Sequence, residues 1–224
     1  MANFELGRAT GQPDAFLFFL AQLFCVRYEQ GRLTEMEGQV QEALSARPGL
    51  PALHALLALL YCETERPDAA RPHFEAVATD DFSVVPQDNV WVLAMLWATE
   101  ACAQLNDAPR AAVLYRLLRP YADQFAFTTG SFQGGIAYHL GVLATVTGHF
   151  QEAEVHFAAA EAMHQRIGAP TWLARTRLEW ARMLLARRQP GDAERARDLL
   201  DRTVATAREL GLGNVERRAV QLLT

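Results

Sequence analysis

The sequence contains no lysine: all 21 basic residues are arginine. That absence removes the phosphate-binding lysine of a P-loop, a Schiff-base lysine and the lysines of a kinase fold. HExxH, GxSxG and a glycine-rich phosphate fingerprint are missing too. No stretch approaches eighteen uninterrupted apolar residues, and no charged start runs into an apolar segment, so neither a membrane span nor a signal peptide is expected and the expected location is cytoplasmic. Cysteine is scarce. Cys25, Cys62 and Cys102 are odd in number and far apart, unlike the paired spacing of zinc knuckles and redox motifs, so they read as small buried apolar residues. Excess positive charge is also absent: 21 basic residues face 26 acidic ones, giving a net charge of -5 without any block of five or six like charges. Nucleic acid and anionic membranes are therefore not expected partners.

What is present is helical. Half of the residues are hydrophobic and 21% are charged, the balance of a folded chain. Five segments repeat one pattern, a turn followed by a small or medium residue, a large one four further on and another apolar one three beyond that. Met36, Val40 and Ala43 show it first; Ala70, Phe74 and Val77, then Ala111, Tyr115 and Leu118, follow. Ala153, Phe157 and Ala160 continue it, and Ala196, Leu200 and Thr203 end it. Upstream of each turn runs an apolar stretch of helix length, at 14–30, 51–63, 89–105, 134–147 and 171–188. These stretches are apolar around the circumference, so each should be sandwiched between neighbours. The leading positions lie 34 to 43 residues apart, the range of helix-turn-helix repeats, and the lack of strand patterning excludes propeller blades. The reading is all-α: an α-solenoid, wound as a right-handed superhelix, of about five units at 13–48, 51–79, 88–120, 131–168 and 170–211, with a terminal helix at 213–224. Prolines 13, 51 and 170 can occupy first turns. The segments 79–88 and 121–131 read as loop insertions, and GSFQGG (130–135) as a flexible helix entry or, by a weaker match, a phosphate-binding turn.

One triplet raises a metal reading. In GHFQEAEVHFAAA (148–160), His149, Glu152 and His156 fall at i, i+3 and i+7 and share a helix face. Two imidazoles and a carboxylate form a plausible zinc or iron set. The competing reading makes them the wet side of a repeat that packs through Ala153, Phe157 and Ala160. The equivalent positions in other units vary as an outer face would, so the expectation is no metal, no cofactor and no enzyme, with metal-dependent catalysis kept as a remote alternative.

The spacing of small and aromatic residues, with Tyr61 in the second unit and Gly141 and Gly148 in the fourth, resembles the tetratricopeptide repeat. Longer phrases such as QLFCVRYEQGRLTEMEG, LALLYCETERPDAARPHFE and LGVLATVTGHFQEAEVHF resemble the C-terminal helical-repeat module of large bacterial signalling proteins. In those proteins an ATP-binding core is joined to a class III nucleotide cyclase or to a LuxR-type DNA-binding domain. The resemblance implies a regulatory protein-binding module and brings no catalytic residues. The opening MANFELGRATGQPDAF reads as the tail of a second helix, as if a repeat preceded it, so a fragment is one expectation. Phe16, Phe18, Phe19 and Leu20 would then be exposed in part and favour self-association.

In stacked helix pairs the first helices line the concave face. The candidate groove residues are Phe18, Ala21, Cys25 and Tyr28; Leu59, Cys62 and Glu63; Leu93, Leu96 and Glu100; and Tyr138, Val142 and Thr145. No basic residue stands among them, which disfavours clamping of a peptide carboxylate. Two ligands remain, an apolar helix or peptide in the groove and a small apolar inducer. A third possibility is a superhelix tight enough to fill its own groove. Eleven arginines from Arg175 to Arg218 alternate with Glu179, Asp192, Glu194 and other acids, and read as a solvated, salt-bridged face.

Overall fold

The computed structural model describes residues 9–12, 15–88, 90–128 and 131–224. Pro13, most of the opening stretch and Gly130 lie outside them. Helix α1 spans Ala15–Gln30, a 3-10 turn Leu33–Met36 leads into α2 (Glu37–Ala46), and α3 (Pro51–Glu63) and α4 (Pro67–Ala78) follow. Next come α5 (Trp91–Gln104) and α6 (Ala108–Leu118). The second half holds strands β1 (Phe125–Thr128) and β2 (Ser131–Gly135), then α7 (Ile136–Val146), α8 (Phe150–Arg166), α9 (Pro170–Arg187), α10 (Asp192–Leu210) and α11 (Gly213–Leu223). The chain is predominantly helical.

Local chemistry sets the helix ends. Prolines occupy the first turns of α3, α4, α6 and α9, where a missing N–H costs nothing. Asp107 caps α6 by accepting the Arg110 amide at 3.2 Å. Each helix packs on its sequence neighbour from α2 to α11, and α3, α5, α7 and α9 also form a continuous inner row. The apolar-all-round character of that row is explained by α7: Ile136, Leu140 and Leu143 join the core of the first half, while Ala137, Tyr138 and Val142 join that of the second.

The repeated triplets occupy the core. Met36, Val40, Phe74, Val77, Ala153, Phe157, Ala160, Ala196 and Leu200 are essentially without solvent contact. One differs: Tyr115 is half-buried, and Leu114 takes the interior place. The physical reason is the Tyr115 hydroxyl, which finds polar partners at the surface rather than a dry seat.

The expectation of loops at 121–131 is corrected. Phe127 pairs with Phe132 and Phe125 with Gly135 in an antiparallel hairpin that carries an irregularity after Phe125. Strands of four and five residues were invisible as a pattern because the hairpin is held from outside its own sequence. GSFQGG is therefore largely β2, not a flexible entry. At Gly134, with φ +80°, a Cβ would lie 2.4 Å from the Trp172 ring, so the strand can pass over the indole only with glycine there.

The last helix returns to the first. α11 packs against α1, and a Cβ on Gly213 would stand 2.7 Å from the Gln30 carbonyl oxygen. The accessible surface is 10755 Å², against about 10,200 Å² for a globular monomer of 24.9 kDa. An extended open array would expose more.

Candidate functional site

Closure leaves a cavity of about 510 Å³ in the middle of the molecule, lined from α1, α3, α5, β2, the foot of α7, α9 and the turn between α10 and α11. That is the size of a small-molecule site. Phe24, Leu59, Leu96, Trp97, Phe132, Trp172 and Leu212 form its apolar walls. Val26 and Leu210, at 49% and 41% exposure, mark a mouth between α1 and the end of α10.

Arg175 forms the polar floor. Its guanidinium lies 4.4 Å from the Trp172 ring centroid and 4.6 Å from that of Tyr28, with Tyr138 at 5.5 Å. It donates to Glu29 Oε1 and Glu100 Oε1, both at 3.0 Å, and to the Tyr28 hydroxyl at 3.1 Å. Such a cation is costly to bury unless paired, and here two carboxylates and three aromatic faces hold it. Burial pushes the Glu29 carboxyl above its ordinary pKa despite the pull of Arg175. A second network locks the closing helix. Arg218 of α11 donates to Glu179 of α9 at 2.8 Å, and Asn214 donates to Glu63 of α3 at 3.0 Å. Burial opposes ionisation of Glu179, yet Arg182, Arg218 and Arg175 hold its carboxyl below the usual range.

Two buried histidines, His139 of α7 and His164 of α8, hold the backbone of β2 beside the cavity. His139 Nε2 donates to the Gln133 carbonyl at 3.2 Å, and burial drives its pKa down to about 3. His164 accepts the Gly135 amide on Nε2 at 2.9 Å and meets the Thr176 hydroxyl through Nδ1 at 3.0 Å. Thr176 spends its own proton on the Trp172 carbonyl, so Nδ1 of His164 is the donor. Its pKa falls to about 4, through burial first and then the neighbouring His139 and Arg175. Both imidazoles are neutral at physiological pH.

Of the groove candidates, Cys25, Tyr28, Leu59, Leu96 and Glu100 line this cavity. Glu63 belongs to the network beneath α11, and Tyr138 backs Arg175. Ala21, Cys62, Leu93 and Val142 are buried in the cores, Thr145 is half-buried, and Phe18 is 44% exposed on α1. Leu20 is fully buried, while Phe16 and Phe19 are partly so. Cys62 and Cys102 are interior, and burial raises both thiols to about 12; Cys25 is instead half-buried at the cavity wall, where Gln133 Nε2 donates to its sulfur at 3.3 Å.

Two expectations need correction. The lining is not free of basic residues, because Arg175 sits in it. Nor are the arginines of 175–218 all solvated: Arg175 and Arg177 are buried, and the Arg187 side chain is enclosed between Glu154 and Asp192. Charge alternation looks the same in sequence whether the partners lie in water or across a helix interface. Glu29, Trp172, His139 and the hairpin went unnoticed, although Trp172 and Arg175, at i and i+3 on one face of α9, carried a usable signal.

The residues of the metal reading do not converge. His149 turns to the Thr147 hydroxyl at 2.9 Å, while Glu152 and His156 meet on the Tyr115 hydroxyl at 3.0 and 2.9 Å. Among the described residues no group of three or more His, Cys, Asp or Glu is placed to hold a metal ion. Nor is any helix among them long and apolar enough to cross a membrane. Compared with protein-family models, curated proteins and solved structures, the chain matches none.

Proposed function

We propose that this chain is a non-catalytic, tetratricopeptide-like array whose superhelix closes on itself and takes a small molecule into its central cavity. Within a larger cytoplasmic signalling protein, of the kind its repeat phrases resemble, it would report that ligand to effector domains. The observation carrying this reading is the cavity itself: apolar and aromatic walls, a few convergent polar groups and perturbed titratable residues around one pocket with a mouth to solvent. An extended peptide lying along the inner row would have to displace the salt bridges that join α1, α3, α5, α9 and α11, which favours the small-ligand reading over a peptide groove.

The outside of the molecule supports a role for a protein partner as well. Phe125 and Phe127 of the hairpin are 56% and 66% exposed, and Phe18 and Val26 of α1 are exposed too. The hairpin also supplies Phe132 and Gln133 to the cavity wall, so one element carries both an exposed apolar face and a ligand contact. A ligand-dependent partner surface would use it.

A thermal-shift panel of metabolites against the full chain and a Cys25→Phe variant, which puts a phenyl ring into the cavity, tests the proposal. Compounds that raise the melting temperature of the parent and leave the variant unmoved support it. Shifts that persist undiminished in the variant, or a panel without any shift, contradict it.

A further inference from the structure

Two buried polar atoms at the cavity lack a hydrogen-bond partner among the described residues. Arg175 spends both Nη2 protons on Glu100 and the Tyr28 hydroxyl and one Nη1 proton on Glu29. The two unpartnered atoms are acceptors. Glu29 Oε2 is buried without a hydrogen-bond partner among the described residues. His139, only 1% exposed, gives its one proton to the Gln133 carbonyl through Nε2, so Nδ1 presents a lone pair, and it too is buried and unpartnered. Another acceptor, Glu100 Oε1, stands 3.6 Å from it. A buried polar atom left in this state is destabilising, and a suitable donor removes that cost.

Charge points the same way. Arg175 faces two carboxylates, Glu29 and Glu100, so the floor carries an excess negative charge that a cation would neutralise and an anion would aggravate. Around the floor stand the rings of Phe24, Trp97, Phe132 and Trp172, and aromatic faces attract organic cations.

We propose that the ligand of this cavity is a small organic amine, whose ammonium group donates to Glu29 Oε2 and His139 Nδ1 while its apolar body fills the aromatic walls. The inference rests on the cavity being the ligand site, and specifies what it takes. Carboxylates, phosphates and other anions are disfavoured by the two carboxylates that flank the arginine.

Isothermal titration of the full chain with 2-phenylethylamine, 2-phenylethanol and 3-phenylpropanoate tests the class, since each carries a phenyl ring on a short chain ending in ammonium, hydroxyl or carboxylate. The amine should bind about tenfold or more tighter than the alcohol, the size of one charge-assisted hydrogen bond. The carboxylate should not bind. Glu29→Gln should remove most of the preference for amine over alcohol. An alcohol or carboxylate that binds as well as the amine overturns the amine assignment and leaves the cavity standing as a ligand site, as does a preference that survives in Glu29→Gln. Binding by none of the three removes the cavity reading and the amine together. Should Glu29→Gln fail to fold, the ranking of the three compounds on the parent chain decides alone.

Discussion

Arg175 ties the cavity to the fold. Truncating it to Met leaves Glu29 and Glu100 buried without their cation, and breaking one partner of a buried pair typically costs about 3–5 kcal/mol. Urea unfolding of Arg175→Met should show a loss of that order, and adding Glu100→Gln should recover part of it. The same environment that holds Arg175 keeps His139 and His164 neutral, with consequences for acid stability. In the unfolded chain each takes up a proton near pH 6.5, whereas in the folded chain His164 resists to about 4 and His139 to about 3. The unfolded state therefore binds more protons across that window, and stability falls as pH drops from about 6.5 toward 3. His164→Gln should flatten the decline between pH 6.5 and 4 in thermal melts; an unchanged slope would mean that the imidazole charges freely in the folded protein. At this scale the sequence was only half legible. Tyr28, Leu59, Leu96 and Glu100 were readable from helical register, but whether an arginine lies in water or between helices depends on what the rest of the chain places opposite it.

The helices themselves were plain to read, because apolar periodicity and first-turn prolines are local signals that packing then reinforces. Phe157, at no exposure, should cost about 3–5 kcal/mol when cut to Ala. Tyr115→Phe, at the equivalent position one unit earlier, should cost at most about 1 kcal/mol, since the ring stays and only the hydroxyl bridge to Glu152 and His156 is lost. Denaturant midpoints of the two variants measure the difference; equal losses would mean that the two positions pack alike. The hairpin was the opposite case. Its strands are too short to show alternation, and their order comes from distant residues: Trp172 beneath Gly134, whose indole N–H donates to the Phe132 carbonyl at 3.2 Å, and His164 accepting the Gly135 amide. Contacts 29 to 40 residues apart leave no mark on a local pattern.

For the whole molecule, the repeat spacing carried the helical class but not the return of the chain to its start. That return depends on single residues, Gly213 against the Gln30 carbonyl and Asn214 and Arg218 reaching Glu63 and Glu179, which no periodicity announces. Everything said of the cavity follows from α11 closing on α1, and small-angle X-ray scattering of the monomeric chain reads that closure directly. A closed array of this length should give a radius of gyration of about 17 Å, as for a globular chain. A value several ångströms larger, of the kind an open row of helix pairs produces, would contradict it.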